Sequence, residues 1–326
     1  MTYPVIDIHC HAAGIGADSG CFISRAMQRS WKTGFYFKAF GVSEQELREE
    51  GDGLIYQRLS QRLAGASRVE KAVVLALDGV MDHRGELDRD RTELYVPNDF
   101  LADQCRRYDN LLFGASVNPL RWDALERLDA VAADGAVLVK WLPSIQGTDP
   151  ADTRLIPFYR RLAELGLPLL AHTGTEESFT RADNTLADPA RLRLALEQGV
   201  TVIAAHCASN GRNNGERNLA RLLPLFEQFP NLYADISALT LANRLGHLQR
   251  VLRYTGLHDR LLYGTDMPLP ATGLTTPWLQ LFSIGFGRAR RLAAIDNPWD
   301  RDMALNLALG MPEQVLYRAA SVLKLQ

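Results

Sequence analysis

Six side chains that could hold a metal ion lie at the ends of short apolar runs, or just past them. In chain order they are His9, His11, Lys140, His172, His206 and Asp266. His9 and His11 stand two residues apart, so on a strand both imidazoles point to the same face and can chelate one divalent ion. Residues this far apart in sequence converge only where several strands end together. The order therefore predicts a metal site at the carboxyl ends of the strands of one barrel.

Eight apolar runs alternate with segments of helical period along the chain. Most of the runs are continuous, which is typical of parallel strands covered on both faces. Eight strand and helix units in about 250 residues or more fit a (β/α)8 barrel. We therefore predict an α/β protein, a (β/α)8 TIM barrel forming a single domain over residues 1–326, with C-terminal helices. The predicted strands are 5–9, 72–77, 112–117, 136–141, 168–172, 201–206, 232–236 and 261–263.

One segment, at about 14–66, is longer than the loop and helix that a barrel needs after its first strand. We interpret it as an insertion on the active-site side of the barrel. It is rich in aromatic residues, namely Trp31, Phe35, Tyr36, Phe37 and Phe40. Two interpretations stay open: a small helical cap that packs its aromatic rings internally, or a lid that lines the substrate pocket.

The composition excludes several classes of protein. The 326 residues carry a net charge of -2, with 47% hydrophobic and 23% charged residues, and no basic block is long enough to bind nucleic acid. No apolar run is long enough to cross a bilayer, and the first residues lack the basic and apolar regions of a secretory signal. We expect a cytoplasmic protein with no nucleic-acid and no membrane partner.

The four cysteines are too few and too scattered for a disulfide framework. They are Cys10, Cys21, Cys105 and Cys207. Cys10 and Cys207 neighbour candidate ligands, but on a strand the neighbour of an inward residue points outward. We interpret them as small buried hydrophobic residues and not as thiolate ligands, since no Cys-x-x-Cys spacing is present.

The ordered set of motifs resembles the amidohydrolase superfamily, in particular its amidohydrolase 2 branch of TIM-barrel metal-dependent hydrolases. The resemblance rests on Ile-Asp-Ile-His-Cys-His at 6–11, the strand-end His172 and His206, and Gly-Thr-Asp-Met-Pro at 264–268. In that superfamily the His-x-His pair, the fifth-strand His and the eighth-strand Asp bind a catalytic metal, whereas the sixth-strand His binds a second metal or contacts the reacting group. The resemblance thus implies metal ligation by His9, His11, His172 and Asp266, with His206 in either role.

The chemistry of these residue types agrees with that implication. A divalent ion such as Zn²⁺, held by neutral imidazoles with one position open, lowers the pKa of bound water toward about 7. Asp266 can bind the ion through one oxygen and accept the nucleophile's proton with the other. We expect one or two ions, with Asp266 and His206 as catalytic residues. Asp7 either orients a ligand or serves the strand structurally.

Lys140 is the ambiguous member of the set. Binuclear members of the superfamily carry a lysine at the end of the fourth strand that is carboxylated by CO2 and bridges two metals, and a carbamate suits two dications better than an ammonium does. A second interpretation is a lysine that binds a substrate carboxylate beside a single metal. In a third, its stem packs on Trp141 and its amine reaches solvent.

The favoured function is a metal-dependent hydrolase of an ester, lactone or amide bond in a small-molecule substrate. The alternative is a mononuclear, metal-dependent non-oxidative decarboxylase of a small carboxylic acid, in which His206 would assist proton transfer to carbon. A barrel that binds a ligand without turnover is a third hypothesis, against which the intact ligand set argues. Polar loops with Arg181 and Arg212 could fix an anionic substrate, and the insertion and C-terminal helices could mediate homo-oligomer contacts.

Overall fold

The computed structural model describes residues 3–16 and 19–325, so residues 17 and 18 of the predicted insertion lie outside the described residues. Eight parallel strands pair in sequence order into one sheet. Their bounds are β1 Val5–His11, β2 Val69–Leu75, β3 Leu111–Ser116, β4 Leu138–Trp141, β5 Leu169–Ala171, β6 Val202–Ala204, β7 Leu232–Asp235 and β8 Leu261–Leu262. Each predicted strand corresponds to one of these eight.

The sheet closes nearly into a barrel because the chain after β8 returns to β1. The Ile8 backbone N–H donates to the Tyr263 carbonyl at 3.2 Å, and the His11 N–H donates to the Met267 carbonyl at 2.8 Å. All eight carboxyl ends therefore meet at one rim. The predicted α/β class and (β/α)8 TIM barrel are confirmed.

Helices occupy most of the connections between strands. The α-helices within the described residues are α1 Arg25–Gln28, α2 Trp31–Phe40, α3 Glu44–Glu50, α4 Gly53–Ala64, α5 Asn98–Arg106, α6 Ala124–Ala133, α7 Pro143–Gln146, α8 Ile156–Leu165, α9 Arg193–Glu197, α10 Asn218–Gln228, α11 His247–Leu252, α12 Leu281–Ile284, α13 Phe286–Ala293, α14 Pro298–Ala308 and α15 Ala319–Val322. Short 3-10 helices are Thr153–Leu155, Pro189–Leu192, Ala205–Ala208, Ala242–Arg244, Thr255–Arg260, Leu269–Ala271, Gly273–Thr275, Pro277–Gln280 and Glu313–Leu316. Two small antiparallel pairs join Phe22–Ile23 with Leu94–Tyr95 and Arg212–Asn213 with Glu216–Arg217. Within the described residues, no helix is both long enough and apolar enough to traverse a lipid bilayer.

Helix α8 shows how the sequence places a helix on the barrel. Phe158, Tyr159 and Leu162 are buried along one side, as the three- and four-residue spacing of apolar residues requires. Gly166 ends the helix with a φ of 63°, a left-handed conformation that glycine adopts without steric penalty.

Strand alternation divides the core into two layers. The inner layer fills the barrel with branched aliphatic side chains, namely Ile6, Ile8, Val73, Leu75, Leu138, Leu170, Ile203 and Leu262. Ala319 and Leu323 belong to the same cluster, and the Lys324 N–H donates to the Val137 carbonyl just before β4. The C-terminal tail thus closes the amino end of the barrel and leaves the carboxyl rim open for a site.

The segment after β1 is mainly helical and contains α1 to α4. Asp52 anchors its start, because its carboxylate accepts the Ile15 and Gly16 N–H groups at 2.8 Å each. Tyr56 donates to the Ala13 carbonyl at 3.0 Å. Phe37 and Phe40 of α2 are buried, and both lie against the cavity at the carboxyl rim.

Candidate metal centre

Strand alternation explains why side chains from different strands meet at the carboxyl rim. Lys140 follows Leu138 by two residues and His172 follows Leu170 by two, so each continues the inward face of its strand. In β1 the register shifts between Asp7 and Cys10, and such an irregularity re-aims the following side chains. Ile8 lies in the inner layer. Because of the shift, the next residue, His9, and not Cys10, projects into the site.

His9 is completely buried and contacts Asp235, Lys140 and Asp266. Its Nδ1 lies 2.8 Å from Asp235 Oδ2, and its Nε2 lies 3.0 Å from Lys140 Nζ and 3.4 Å from Asp266 Oδ1. Burial, with the charge of Lys140, lowers the pKa of His9, so the ring is neutral. An Nδ1–H that donates to Asp235 leaves Nε2 unprotonated, as a metal ligand must be.

Asp266 follows the last strand in a left-handed conformation with a φ of 65°. Its N–H donates to the His9 carbonyl at 2.8 Å, and its Oδ1 lies 2.8 Å from His11 Nε2. Burial alone would raise the pKa of Asp266, but the hydrogen bond from His11 holds it well below its ordinary range. Asp266 is therefore an ionised carboxylate.

His206 reaches the site by a route that strand periodicity does not predict. Strand β6 ends at Ala204, and His206 has a φ of 58°. Its backbone N–H donates to Asp235 Oδ1 at 2.7 Å, and its Nδ1 lies 3.0 Å from the Ser237 carbonyl. Because a carbonyl can only accept, Nδ1 carries the proton and Nε2 is left to bind a ligand.

His172 supplies a direct test of whether the residues fit a metal. Its Nε2 is buried and has no hydrogen-bond partner within residues 3–16 and 19–325; the nearest carboxylate oxygen, of Glu176, lies 3.6 Å away. Burial lowers the pKa of His172 to about 4, so the ring is neutral. A buried ring nitrogen without a hydrogen-bond partner is costly, and a cation would satisfy it in the tautomer that leaves Nε2 unprotonated.

Lys140 is 1% exposed, so its amine does not reach solvent. Burial lowers its pKa to about 8. Because the amine lies 3.0 Å from His9 Nε2, it is inside the site.

The structure brings the six predicted residues together. The ligand atoms of His9, His206 and Asp266 all lie within 4.8 Å of one another. His11 and Lys140 join this group through the contacts given above, and the His172 ring lies 5.1 Å from the His206 ring. Nitrogen and carboxylate donors in this number suit a divalent transition metal such as zinc.

Sequence reasoning missed Asp235 and Ser237. Asp235 is fully buried and connects His9, His206 and Ser237, whose Oγ donates to Asp235 Oδ1 at 2.5 Å. Burial would raise the pKa of Asp235, but the hydrogen bonds that it accepts from His9 and Ser237 hold it well below its ordinary range. The acid within the otherwise apolar run 232–236 is the signal that was available.

Asp7 touches none of the candidate ligand side chains. Its carboxylate accepts the His9 N–H at 3.0 Å, the Thr265 N–H at 3.0 Å and the Trp299 indole N–H at 2.9 Å. It therefore ties β1 to the segment that carries Asp266 and to α14, which is the structural interpretation of this residue.

A cavity of about 410 Å³ opens above these side chains. His11, His172, His206 and Asp266 line its floor, and aromatic residues of α2 line its wall. Arg181 and Arg212 lie outside this cavity among exposed residues, whereas Arg244, which sequence reasoning passed over, lines it.

Cys10 and Cys207 are buried, and burial raises their thiol pKa well above the ordinary value. They are therefore not thiolates.

The sequence matches the family model of the amidohydrolases over residues 6–286. The chain belongs to the amidohydrolase family. Enzymes of this family typically depend on a divalent metal, in agreement with the candidate ligand cluster of this amidohydrolase. A comparison with curated proteins finds no match.

Solved structures similar to this amidohydrolase share its fold. An uncharacterised TIM-barrel protein of Bordetella bronchiseptica is 20% identical with a TM-score of 0.58, covering 93% of this chain and 99% of that one. A Pseudomonas putida protein proposed to be a 2-pyrone-4,6-dicarboxylic acid hydrolase is 18% identical with a TM-score of 0.54, covering 99% and 95%. An Acinetobacter baumannii protein proposed to have the same activity, with citric acid bound, is 13% identical with a TM-score of 0.55, covering 98% of each chain.

Proposed function

We propose that this amidohydrolase is a metal-dependent hydrolase of an ester, lactone or amide bond, with metal ligation by His9, His11, His172, His206 and Asp266. The observation that carries the proposal is the convergence of the His9, His206 and Asp266 ligand atoms within 4.8 Å of one another, with His206 and Asp266 lining a cavity. His172 Nε2, which is buried and has no hydrogen-bond partner among the described residues, adds a further donor.

The residues around that centre have separate roles in the proposed reaction. A divalent ion there would lower the pKa of a water molecule and polarise the scissile carbonyl. Asp235 holds His9 in the tautomer that presents Nε2. Asp266 Oδ1 contacts His9 and His11, so Oδ2 is the oxygen that accepts the proton of the attacking water and passes it to the leaving group. The aromatic wall limits access of other water.

Lys140 separates two versions of the site. In the binuclear version its amine would add to CO2 and lose a proton to become a carbamate, an anionic oxygen ligand that would help to hold two ions. In the mononuclear version it would remain an amine. The mononuclear version leaves open a second candidate function, non-oxidative decarboxylation of a small carboxylic acid at one metal, with His206 assisting proton transfer to carbon.

Metal analysis combined with turnover tests both versions. We expect zinc-loaded protein to hold two ions per chain and to hydrolyse members of a panel of esters, lactones and amides, Lys140→Met to hold one ion, and Asp266→Asn to be inactive. One ion in the unmodified protein, with CO2 release from aromatic or enoic acids and no hydrolysis, would establish the second candidate. Protein that binds no metal and whose stability is unchanged by chelators would refute both.

A further inference from the structure

Arg244 is a buried guanidinium inside the cavity of the metal centre. It ends the 3-10 helix Ala242–Arg244 beyond β7, is 6% exposed and lines the same cavity as His206 and Asp266. Its Nε and Nη1 atoms are buried and have no hydrogen-bond partner in the part of the chain that the structure describes. No carboxylate oxygen of those residues lies within 4.0 Å of its nitrogens.

Other arginines that the fold covers are satisfied by the protein itself. Arg121 pairs with Asp123 at 2.9 Å and with Asp78 at 3.1 Å. Arg318 donates to the carbonyls of His258 and Leu261 at 2.8 and 2.9 Å. A guanidinium that is withdrawn from water without such partners carries a desolvation penalty. Arg244 is therefore placed to receive a partner that the protein does not supply.

The chemistry of the guanidinium and the cavity defines that partner. The planar fork of arginine matches a carboxylate, which accepts two parallel hydrogen bonds from it. Burial lowers the pKa of Arg244, but an arginine side chain stays charged in proteins. The remaining wall includes Phe35, Phe37 and Leu241, so the body of the ligand is apolar.

We propose that Arg244 binds the carboxylate of the substrate, and that the substrate is a small carboxylic acid with an apolar or aromatic body. This inference rests on the proposed function, because it assigns a substrate class to the same cavity. The carboxylate bound at Arg244 is a spectator group, and it directs the scissile bond toward Asp266 and His206 on the cavity floor. Lys140 does not compete for this role, since its amine lies against His9.

Binding of matched charged and neutral probes tests the proposal without requiring turnover. The probes are benzoate and hexanoate, each compared with its neutral amide, titrated calorimetrically into zinc-loaded and metal-free protein. We expect each carboxylate to bind at least about tenfold more tightly than its amide in both forms, as a charge-assisted pair implies. In the metal-free form, where no ion can bind the carboxylate, Arg244→Met should abolish that preference and Arg244→Lys should retain part of it. The matched control Arg253→Met removes an exposed arginine and should change nothing.

The outcomes are decisive in either direction. Equal binding of acid and amide, no binding of either acid, or an unchanged preference in Arg244→Met would overturn the proposal. Thermal unfolding of Arg244→Met should show no loss of stability, because the Nε and Nη1 groups that it removes have no hydrogen-bond partner among the described residues; if that variant fails to fold, Arg244→Lys carries the comparison. Metal content and hydrolysis are separate readouts, so a failure of the proposed function leaves the carboxylate preference measurable.

Discussion

Asp235→Asn is the most informative single substitution in the metal centre. The Asp235 carboxylate accepts hydrogen bonds from His9 Nδ1 at 2.8 Å, from the His206 N–H at 2.7 Å and from the Ser237 N–H at 3.1 Å. Asparagine has the same shape but one oxygen and one NH2 group. If its oxygen keeps the two backbone donors on the Oδ1 side, its NH2 group faces His9 Nδ1.

The expected magnitude follows from the tautomer of His9. Facing an NH2 donor, Nδ1 must become the acceptor, so the proton moves to Nε2 and blocks the nitrogen that points into the site. Restoring the ligand tautomer means two facing donors and the loss of a buried charge-assisted hydrogen bond, worth roughly 1.5–3 kcal/mol. Zinc affinity should therefore fall about 10- to 100-fold, which is the usual effect of removing a group that orients a metal-binding histidine.

Competition with a fluorescent zinc chelator measures this affinity, and thermal unfolding of the metal-free protein shows whether the variant is folded. Asp302→Asn is the matched control, because Asp302 is also buried but bonds Tyr263 and Asn306 and none of the candidate ligands. It should bind zinc as the unmodified protein does. Zinc affinity in Asp235→Asn within about twofold of the unmodified value would refute the tautomer argument.

Two other substitutions test separate features. Burial raises the pKa of Asp302 to about 8 from an ordinary 3.8, so its contribution to stability is complete below about pH 4 and is lost as the pH rises through 8. Asp302→Asn should be the more stable protein by a few kcal/mol at pH 8 in urea unfolding, with a flatter pH profile; an unchanged profile would contradict the shift. His172→Leu should weaken zinc binding at least about tenfold without lowering the melting temperature of the metal-free protein, since its Nε2 has no partner among the described residues. Unaltered zinc affinity would remove His172 from the ligand set.

The sequence by itself determined the barrel and most of the centre. Continuous apolar runs are typical of strands buried on both faces. The residues at the ends of those runs lie at a common rim whatever the conformation of the loops. For this reason Lys140 and His172 could be placed at the rim from their positions at the ends of apolar runs, and Asp266 from its position just past the last run. The His9 and His11 pair could be placed on one face by its spacing alone.

Only the tertiary structure decided how these side chains are held and what lies beside them. The register shift in β1 and the positive φ of His206 are local departures from strand geometry that no periodicity contains. Asp235 is hydrogen-bonded to His9, 226 residues away in the sequence. Arg244 is distinguished by buried Nε and Nη1 atoms that have no hydrogen-bond partner among the described residues. Such features depend on long-range packing, because the burial and partners of a charged side chain are set by the neighbours that folding brings to it.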